Sequence, residues 1–554
     1  MSRRRRVVLV GVAASLTGVT CIGAAAGPPA HCAEPGWRSF GQSVAHGFSV
    51  ASGCSPITPA NVATLAPAWF VHTSDSITAS PAVADGMAYV GSWDGTFYAV
   101  DVATGAVRWT FHTSSHARMA FGQIVSSATV EPFADPVTHH RRDVVLFGGG
   151  SSLWALDAAS GKELATIDLD PRDPSVREKQ DTGPNPPVAE VESSPAVATV
   201  DGVRRIYVGI DVHNDDHVGR TGLVAIRLVQ TRRGWRFEPS WKYDVETART
   251  YRGMAGLTTG SGEGWGCGGV WSSPAVDTRT GVVVFGTASC DYPEKAYAAH
   301  ENFAESMVAL HADSGKLVWR YRPADELPDA TAQTDDAHRD VDFGASPNLF
   351  TLNGRRVVGE GRKSADYYVR DELTGAKVST THVGQEGYAQ DGFGVGGFLG
   401  TPAVDAEPGK PVQIVGATAI PIPRSPGELD PTTWAVRGFN PLTGRINWTY
   451  RLAGPSYGHT SIVNGVAFVP DTTTSSLIAI DTASGLPLWQ SPVFGPPSST
   501  AVVDGSTVIV GTGTRETDLE YKAFNDNLQG LESVAGPSPL SPVSGIQAFR
   551  LAGG

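Results

Sequence analysis

The residues with the clearest chemical potential in this sequence lie between positions 265 and 292. This stretch contains Trp271 and two cysteines, Cys267 and Cys290, set among several glycines. Residues 271–287 form two apolar, partly β-branched runs around a turn-forming centre, a pattern typical of a β-hairpin. A hairpin with a purely structural role has no need for this combination of residues. We therefore predict a functional site at this hairpin.

The cysteines predict two disulfides. Cys267 and Cys290 lie almost opposite each other in the predicted hairpin, at the cross-strand spacing that a disulfide can close. Cys32 and Cys54 then pair by elimination, because the remaining cysteine, Cys21, falls in a predicted export signal. No Cys-x-x-Cys-His motif occurs, so the sequence encodes no covalently attached c-type haem.

Three other motifs lack the structural context that their chemistry needs. Residues 392–397 satisfy G-x-G-x-x-G, but they precede a predicted strand and open no helix, which argues against a dinucleotide site. Residues 454–458 satisfy G-x-S-x-G without the strand-turn-helix context of a hydrolase nucleophile. His139, His140 and His213 do not have the spacing of zinc ligands.

The elements that position the hairpin are copies of one repeat, clearest between Ser80 and Trp109. Turn residues separate four short apolar runs, which predicts one four-stranded antiparallel sheet. Small residues at Ser-Pro-Ala allow the innermost strand to lie close to a central axis. Gly105 suits the positive φ of the last turn, and Trp109 can cover the outer sheet edge.

The inner-strand motif of this repeat occurs eight times, at residues 80–81, 126–128, 193–195, 272–274, 345–347, 400–402, 459–461 and 498–500. The outer-turn motif occurs at residues 104–105, 160–161, 314–315, 374–375, 443–444 and 484–485, and the third unit departs from it by using residues 228–241. The repeat predicts an all-β fold, an eight-bladed β-propeller of four-stranded antiparallel blades. The alternative is a series of separate β-domains.

The two ends of the chain are expected to complete the eighth sheet. Residues 57–69 resemble an outer strand without inner partners, and residues 545–551 resemble an inner strand without an outer one. Closing the ring with both termini removes an open sheet edge that would otherwise aggregate. The predicted organisation is a signal peptide at 1–26, an extension at 27–56 and the propeller at 57–554.

Composition and the N-terminus indicate an exported protein that does not bind nucleic acid. The net charge is −13, and no basic run occurs outside the first six residues. Arg3–Arg6 precede a modest apolar stretch that ends in small residues, which predicts an export signal cleaved near Ala26. Both the general secretory and the twin-arginine routes fit this segment. We expect no integral membrane span in the mature chain.

The repeat Ala-x-Asp-x-x-Thr-Gly-x-x-x-Trp, together with residues 269–275 and 342–347, resembles the quinoprotein alcohol dehydrogenases, most closely their polyvinyl alcohol dehydrogenase branch. The resemblance spans nearly all of the mature chain. It implies pyrroloquinoline quinone (PQQ) and calcium as cofactors, and hydride transfer from a small or polymeric alcohol to the quinone. The repeat motifs also occur in non-catalytic relatives, so the alternative is a propeller that serves as a binding or assembly scaffold.

The resemblance also implies roles for individual residues. Trp271 matches the tryptophan on which the quinone rings lie, Lys363 the basic residue that bonds the quinone oxygens, and Asp342 the catalytic carboxylate. Asp340 is the weaker candidate because it points to the opposite side of a strand. Each residue has a structural alternative: Trp271 as a packed core residue, Lys363 as a loop cation and Asp342 as a turn residue.

The implied calcium ligands are Asp216, Ser289 and Asp342. Asp216 lies in an acidic loop that could supply hard oxygen ligands, or that could simply be solvated. The family's calcium-binding asparagine is replaced by Ser289, a weaker ligand. The family's adjacent-cysteine disulfide is absent, so Cys267–Cys290 or an ordinary side chain would cover the second quinone face. Without an encoded haem, electrons would leave through a separate acceptor.

Overall fold

The computed structural model of this chain describes residues 32, 36–113, 122–134, 141–170, 188–213, 221–253, 266–290, 303–328, 341–384, 397–418, 434–453, 456–472, 474–513 and 543–553. In these residues the strands form eight antiparallel sheets, and the predicted all-β, eight-bladed propeller of four-stranded blades is confirmed. The described part of the chain also contains the short 3₁₀ helices Val62–Thr64 and Pro323–Glu326. Within the same ranges no helix has the length and apolar character needed to cross a membrane.

We number the blades along the chain and give their strands from the axis outwards. Blades 1 and 2 comprise Ala82–Ala84, Met87–Gly91, Thr96–Asp101 and Val107–His112, then Thr129–Ala134, Arg141–Gly149, Ser152–Asp157 and Glu163–Asp168. Blade 3 comprises Ala196–Val200, Val203–His213, Gly222–Thr231 and Gly234–Asp244, with the additional strands Val188–Glu190 and Arg249–Arg252. Blade 4 comprises Ala275–Asp277, Val282–Gly286, Met307–His311 and Leu317–Tyr321.

Blades 5 to 8 follow the same order. Blade 5 comprises Asn348–Leu352, Arg355–Gly361, Asp366–Asp371 and Lys377–His382, and blade 6 Ala403–Asp405, Gln413–Ala417, Ala435–Phe439 and Ile446–Arg451. Blade 7 comprises Ser461–Val463, Val466–Asp471, Ser476–Asp481 and Pro487–Pro492. Blade 8 comprises Val502–Asp504, Thr507–Thr512, Gly545–Leu551 and Leu65–His72. Residues 545–551 are therefore the third strand from the axis and pair directly with 65–72.

In blades 1, 3, 4, 6, 7 and 8 a tryptophan of the fourth strand from the axis donates to a backbone carbonyl of the next blade. Trp109 in the outermost strand of blade 1 donates its indole N–H to the carbonyl of Ala158 in blade 2, at 3.0 Å. Gly161, in the outer turn of blade 2, has a φ of 69°, and a Cβ there would lie 2.5 Å from the Trp109 ring. Glycine therefore satisfies both the turn and the indole packing. In blade 3, which lacks the outer-turn motif, Trp241 makes the equivalent bond to Ala312.

A belt of hydrogen bonds around the axis closes the ring of blades. In most blades the backbone N–H of the small inner-strand residue donates to the side chain of its counterpart in the following blade. The bonds run Ser80 to Ser127, Ser127 to Ser194, Ser194 to Ser273, Ser273 to Ser346, Ser346 to Thr401, Thr401 to His459 and Thr500 to Ser80, at 2.8–3.3 Å. Blades 7 and 8 are joined by the Ser461 hydroxyl, which donates to the carbonyl of Ala501.

Residues 37–50, here called the collar, circle the inside of the channel on one side of this belt. Collar carbonyls accept hydrogen bonds from the backbone N–H three residues after the belt residue in six blades. These donors are Val83, Val130, Val276, Leu349, Val404 and Ile462, at 2.7–2.9 Å. Ser49–Val50 then pair in parallel with the inner strand of blade 7. The collar passes the blades in their order around the ring, and its aromatic side chains fill that end of the channel.

Both predicted disulfides are confirmed. Cys32 and Cys54 are bonded with their Cα atoms 5.4 Å apart, and this bridge ties the residues before the collar to those after it. Cys267 and Cys290 are bonded with a Cα separation of 3.9 Å and form an isolated antiparallel bridge. The predicted hairpin is present, with strands at 275–277 and 282–286, so Trp271 precedes its first strand.

Candidate functional site

The described site residues lie at the channel end opposite the collar. Trp271 and Asp342 precede the inner strands of blades 4 and 5, before the belt residues Ser273 and Ser346. The loops after the second strands reach the same end, because neighbouring strands are antiparallel. These loops carry Ser289 in blade 4 and Lys363 in blade 5. The fold thus gathers four predicted residues at one rim of the channel.

Asp342 and Lys363 form a buried ion pair. Lys363 Nζ lies 2.7 Å from Asp342 Oδ2, and the two side chains are only 9% and 6% exposed. The other carboxylate oxygen, Asp342 Oδ1, accepts the backbone N–H of Ser289 at 2.6 Å. The backbone N–H of Lys363 also donates to the carbonyl of Asp342 at 2.9 Å. Both carboxylate oxygens thus have a defined donor, which fixes the orientation of this acid.

Trp271 lies next to this pair and is partly exposed. Lys363 Nζ is 5.8 Å from the centroid of its ring, within the range of a cation–π contact. A Cβ on Gly344 would lie 3.2 Å from Trp271 Cη2, so a side chain there would crowd the indole. Trp271 is thus partly exposed and not fully packed in the core, and the Lys363 side chain is buried and not solvated. A flat aromatic surface, a cation and a carboxylate therefore share one rim of the channel.

The disulfide Cys267–Cys290 holds the base of the hairpin beside Ser289. Gly268 donates its N–H to the carbonyl of Ser289 at 3.0 Å, and Ala288 donates to the carbonyl of Gly269 at 2.8 Å. The Thr221 hydroxyl donates to the carbonyls of Cys267 and Gly268, both at 3.1 Å. These bonds keep the residues on both sides of the disulfide at the site.

The described residues do not assemble the predicted calcium site. Asp216 and Asp340 lie outside the described residues, so their predicted roles stay predictions. Asp211 is described and buried: its Oδ1 accepts the N–H of Val212 at 2.8 Å, and its carboxylate occupies the space where Gly269 would carry a Cβ. Across the described ranges no three His, Cys, Asp or Glu side chains are arranged as a metal site. Of the predicted calcium ligands, Asp342 and Ser289 lie within these ranges, and their roles as ligands stay predictions.

Sequence reasoning missed two residues beside the site, Arg362 and Glu305. They form a buried ion pair at 3.0 Å, with side chains 3% and 1% exposed. The only sequence signal for Arg362 was its position directly before Lys363. That signal is weak, because adjacent residues of a strand or tight loop often point in different directions. Glu305 follows a segment without repeat motifs, so no pattern indicated that it would reach Arg362.

Comparisons with known proteins place the chain in a family. The family described as glucose/ethanol/alcohol dehydrogenase, β-propeller domain, matches residues 37–387, and the one described as outer membrane protein assembly factor BamB matches residues 434–529. The quinohemoprotein alcohol dehydrogenase ADH IIB of Pseudomonas putida is 24% identical, over 93% of this chain and 72% of its own. A polyvinylalcohol dehydrogenase of a Pseudomonas species is 23% identical, over 62% of this chain and 50% of its own.

A solved structure shares the fold. The quinohemoprotein alcohol dehydrogenase ADHIIG of Pseudomonas putida superimposes with a TM-score of 0.64 and 17% identity, covering 95% of this chain and 81% of that one. Several other quinohemoprotein and quinone-dependent alcohol dehydrogenases also match, and there the chain spans only 52% to 57% of their length. The shared region therefore corresponds to part of those longer proteins.

Proposed function

This chain belongs to the family of PQQ-dependent glucose, ethanol and alcohol dehydrogenase β-propellers, and we propose that it is an exported alcohol dehydrogenase that uses PQQ as its electron acceptor. The observation that carries the proposal is the convergence of Trp271, Lys363 and Asp342 at one rim of the channel. Three residues from separate parts of two blades meet there, as the family resemblance requires.

The residues fit a flat, anionic quinone. The partly exposed indole of Trp271 offers a stacking surface, and its quadrupole and area favour an offset aromatic partner. Lys363 Nζ is a cation with three N–H donors beside the indole, and it would bond the oxygens of a bound quinone. When bound, PQQ would supply the two-electron oxidising chemistry at this rim, and the separate electron acceptor would return it to the quinone.

Asp342 is the proposed general base. Its carboxylate lies at the rim beside Trp271, with its two oxygens oriented by Lys363 and Ser289. A carboxylate held in this way can take the hydroxyl proton of a bound alcohol as its carbon loses hydride. The Lys363 cation at 2.7 Å stabilises the negative charge of this carboxylate. The low exposure of both side chains strengthens these electrostatic interactions.

Calcium is proposed with Asp216, Ser289 and Asp342 as ligands. The oxygen donors suit a hard cation, but Ser289 is a weak ligand and the described residues supply an incomplete set. We therefore derive no step that depends on the metal. Direct calcium titration of the protein, read by calorimetry, tests this part separately.

The substrate and the route of the electrons follow from chemistry and sequence. We propose a small or polymeric alcohol as substrate and a separate protein or dye as final electron acceptor, because the chain has no haem-attachment motif. Two disulfides and the N-terminal sequence support export and cleavage near Ala26.

A second function has one observation in its favour. Residues 434–529 match the family described as outer membrane protein assembly factor BamB. A propeller without a cofactor, acting as a binding or assembly scaffold, would account for that match and for the loss of the calcium-binding asparagine at Ser289. The two functions differ in whether the purified protein takes up PQQ.

The deciding experiment adds PQQ and calcium to the purified chain and follows tryptophan fluorescence and dye reduction. The chain has 13 tryptophans, so a difference titration against Trp271→Phe isolates the signal of the site. We expect quenching that depends on Trp271, and dye reduction with small alcohols or polyvinyl alcohol. If the protein shows no quenching and no turnover, the scaffold function is the one that remains.

A further inference from the structure

Two buried residues hold the backbone just before Asp342. The Arg362 guanidinium donates from Nε to the carbonyl of Val341 at 2.6 Å, and from Nη2 to the Glu305 carboxylate at 3.0 Å. Glu305 accepts the backbone N–H of Val341 through Oε1 at 3.2 Å. The ion pair therefore binds both backbone polar groups of the residue that precedes Asp342.

Glu305 also reaches the other side of the site. Its backbone N–H donates to the carbonyl of Ala288 at 2.8 Å, and the next residue, Ser289, donates to the Asp342 carboxylate. Glu305 has a φ of 49°, which is uncommon for a residue with a side chain and persists where the surroundings enforce it. Glu305 thus contacts both Ala288, which precedes the Ser289 that bonds the Asp342 carboxylate, and Val341, which precedes Asp342 in the chain.

Arg362 holds the loop of Lys363 in the same way. Its own backbone N–H donates to the carbonyl of Asp366 at 2.9 Å, and its carbonyl accepts the N–H of Phe398 at 3.1 Å. Its side chain then spans from this loop to Val341. The Arg362–Glu305 pair is therefore a second link, beside the Asp342–Lys363 ion pair, between the loop that carries Lys363 and the segment that carries Asp342.

We propose that Arg362 and Glu305 are positioning residues that hold Asp342 and Lys363 in register for the reaction; this rests on the proposed function. A general base must lie within hydrogen-bond reach of the proton it accepts, and a displacement of about 1 Å can lower a rate roughly 100-fold. With both charges desolvated, removal of one leaves the other buried and unpaired, so the geometry depends on the intact pair.

The same blade offers a matched control. Arg356 Nε donates to Glu372 Oε2 at 2.8 Å, and Glu372 is 1% exposed. Arg356 lies in the second strand of blade 5 and Glu372 follows the third, and the ion pairs of Arg356 with Glu372 and Asp277 involve no residue of the proposed site. Arg356→Gln therefore removes a similar arginine–glutamate bond without touching the segment of Asp342.

The test compares Arg362→Gln, Arg362→Lys and Glu305→Gln with Arg356→Gln. For Arg362→Gln we expect kcat to fall about 10- to 100-fold while the alcohol KM changes less than about 3-fold. Arg362→Lys keeps the charge but loses the fork that reaches Val341 and Glu305 together, so its kcat should be intermediate. Arg356→Gln should keep the wild-type kcat.

Amide hydrogen exchange of the protein without added PQQ gives a second readout. The Ser289 amide reports on the Asp342 carboxylate, and we expect it to exchange at least about 10-fold faster in Arg362→Gln and Glu305→Gln than in Arg356→Gln. Strand Arg141–Gly149 serves as an internal check of folding. Equal Ser289 exchange in the Arg362 and Arg356 variants would overturn the positioning role, whatever the turnover. A wild-type protein that neither binds PQQ nor reduces dye would refute the proposed function alone.

Discussion

The two ends of the central channel are built differently from the same eight repeats. At the collar end, backbone carbonyls of residues 37–48 bond the equivalent inner-strand N–H in six blades, and the interior is filled by Trp37, Phe40 and Phe48. At the other end, single side chains from blades 4 and 5 form the Asp342–Lys363 pair beside Trp271. The collar end uses the inner-strand backbone N–H groups that the repeats have in common. The site end uses side chains that are specific to blades 4 and 5.

The two channel ends therefore have different roles: the collar end seals the channel, and the opposite end carries the candidate site. The collar end holds His46 with 2% exposure, and burial lowers its pKa to about 3, so the imidazole is neutral. The site end holds charges that are paired with each other. The propeller can therefore seal one channel end with apolar groups while the opposite end carries ionised groups, and changes at the two ends should have separable effects.

The largest expected effect comes from removing the proposed base. Asp342→Asn keeps the shape of the side chain but cannot accept the alcohol proton as a carboxylate does, so we expect kcat to fall about 10²- to 10⁴-fold. Steady-state dye reduction measures this, with PQQ binding read by Trp271 fluorescence. Wild-type turnover in this variant would remove Asp342 from the mechanism.

Replacing one tryptophan at each channel end should change folding stability at the collar end and PQQ binding at the site end. Trp37 is fully buried, so Trp37→Ala should lower the free energy of unfolding by about 3–5 kcal/mol. Trp271→Ala should instead weaken PQQ binding about 10-fold through lost stacking. Denaturant unfolding and a PQQ titration of both variants test the pair. Reduced PQQ affinity in Trp37→Ala at unchanged folding would contradict the separation.

The two disulfides provide a matched comparison, because they join residues separated by 22 and 23 positions. Loop entropy predicts that replacing either pair by serines lowers the unfolding free energy by about 3 kcal/mol. Only the Cys267/Cys290 double variant should also weaken PQQ binding, since that bridge adjoins Ser289. A Cys32/Cys54 variant with impaired PQQ binding would show that the ends are coupled.

Acid should weaken the collar end. His46 is neutral in the folded protein, with a pKa of about 3, against an ordinary value near 6.5. Its contribution to stability is complete above pH 6.5 and is lost as the pH falls, by about 2 kcal/mol at pH 5. His46→Gln should flatten this dependence in part, because His459 keeps a pKa lowered by burial to about 4. An unchanged slope would show that His46 is not buried as described.

The smallest expected effect is a loss of folding stability at the site end as the pH rises. Glu360 is fully buried beside Gly286, and neither of its carboxyl oxygens has a hydrogen-bond partner in the described part of the chain. Burial raises the pKa of Glu360 well above its usual value, because burial disfavours the charged carboxylate. Stability should then fall as the pH rises above about 4.5. Glu360→Gln should be more stable than wild type at pH 8 and equal to it at pH 4; equal stability at both would contradict this.

Much of this protein followed from local sequence. The repeat, with its turn glycines and its tryptophans, determined the blades because period-two strands and tight turns depend on neighbouring residues. Cys267 and Cys290 could be paired because a hairpin sets its own register. Trp271, Asp342 and Lys363 could be named because they match motifs of the family that the chain resembles.

Tertiary structure alone decided the collar and the Arg362–Glu305 pair. The collar bonds through backbone carbonyls and has positive φ at Gln42, His46 and Phe48, so its side chains leave no periodic signature of its path. Arg362 and Glu305 meet because two blades are neighbours around an axis. Circular closure brings together residues that are distant along the chain, and no local pattern records which of them will touch.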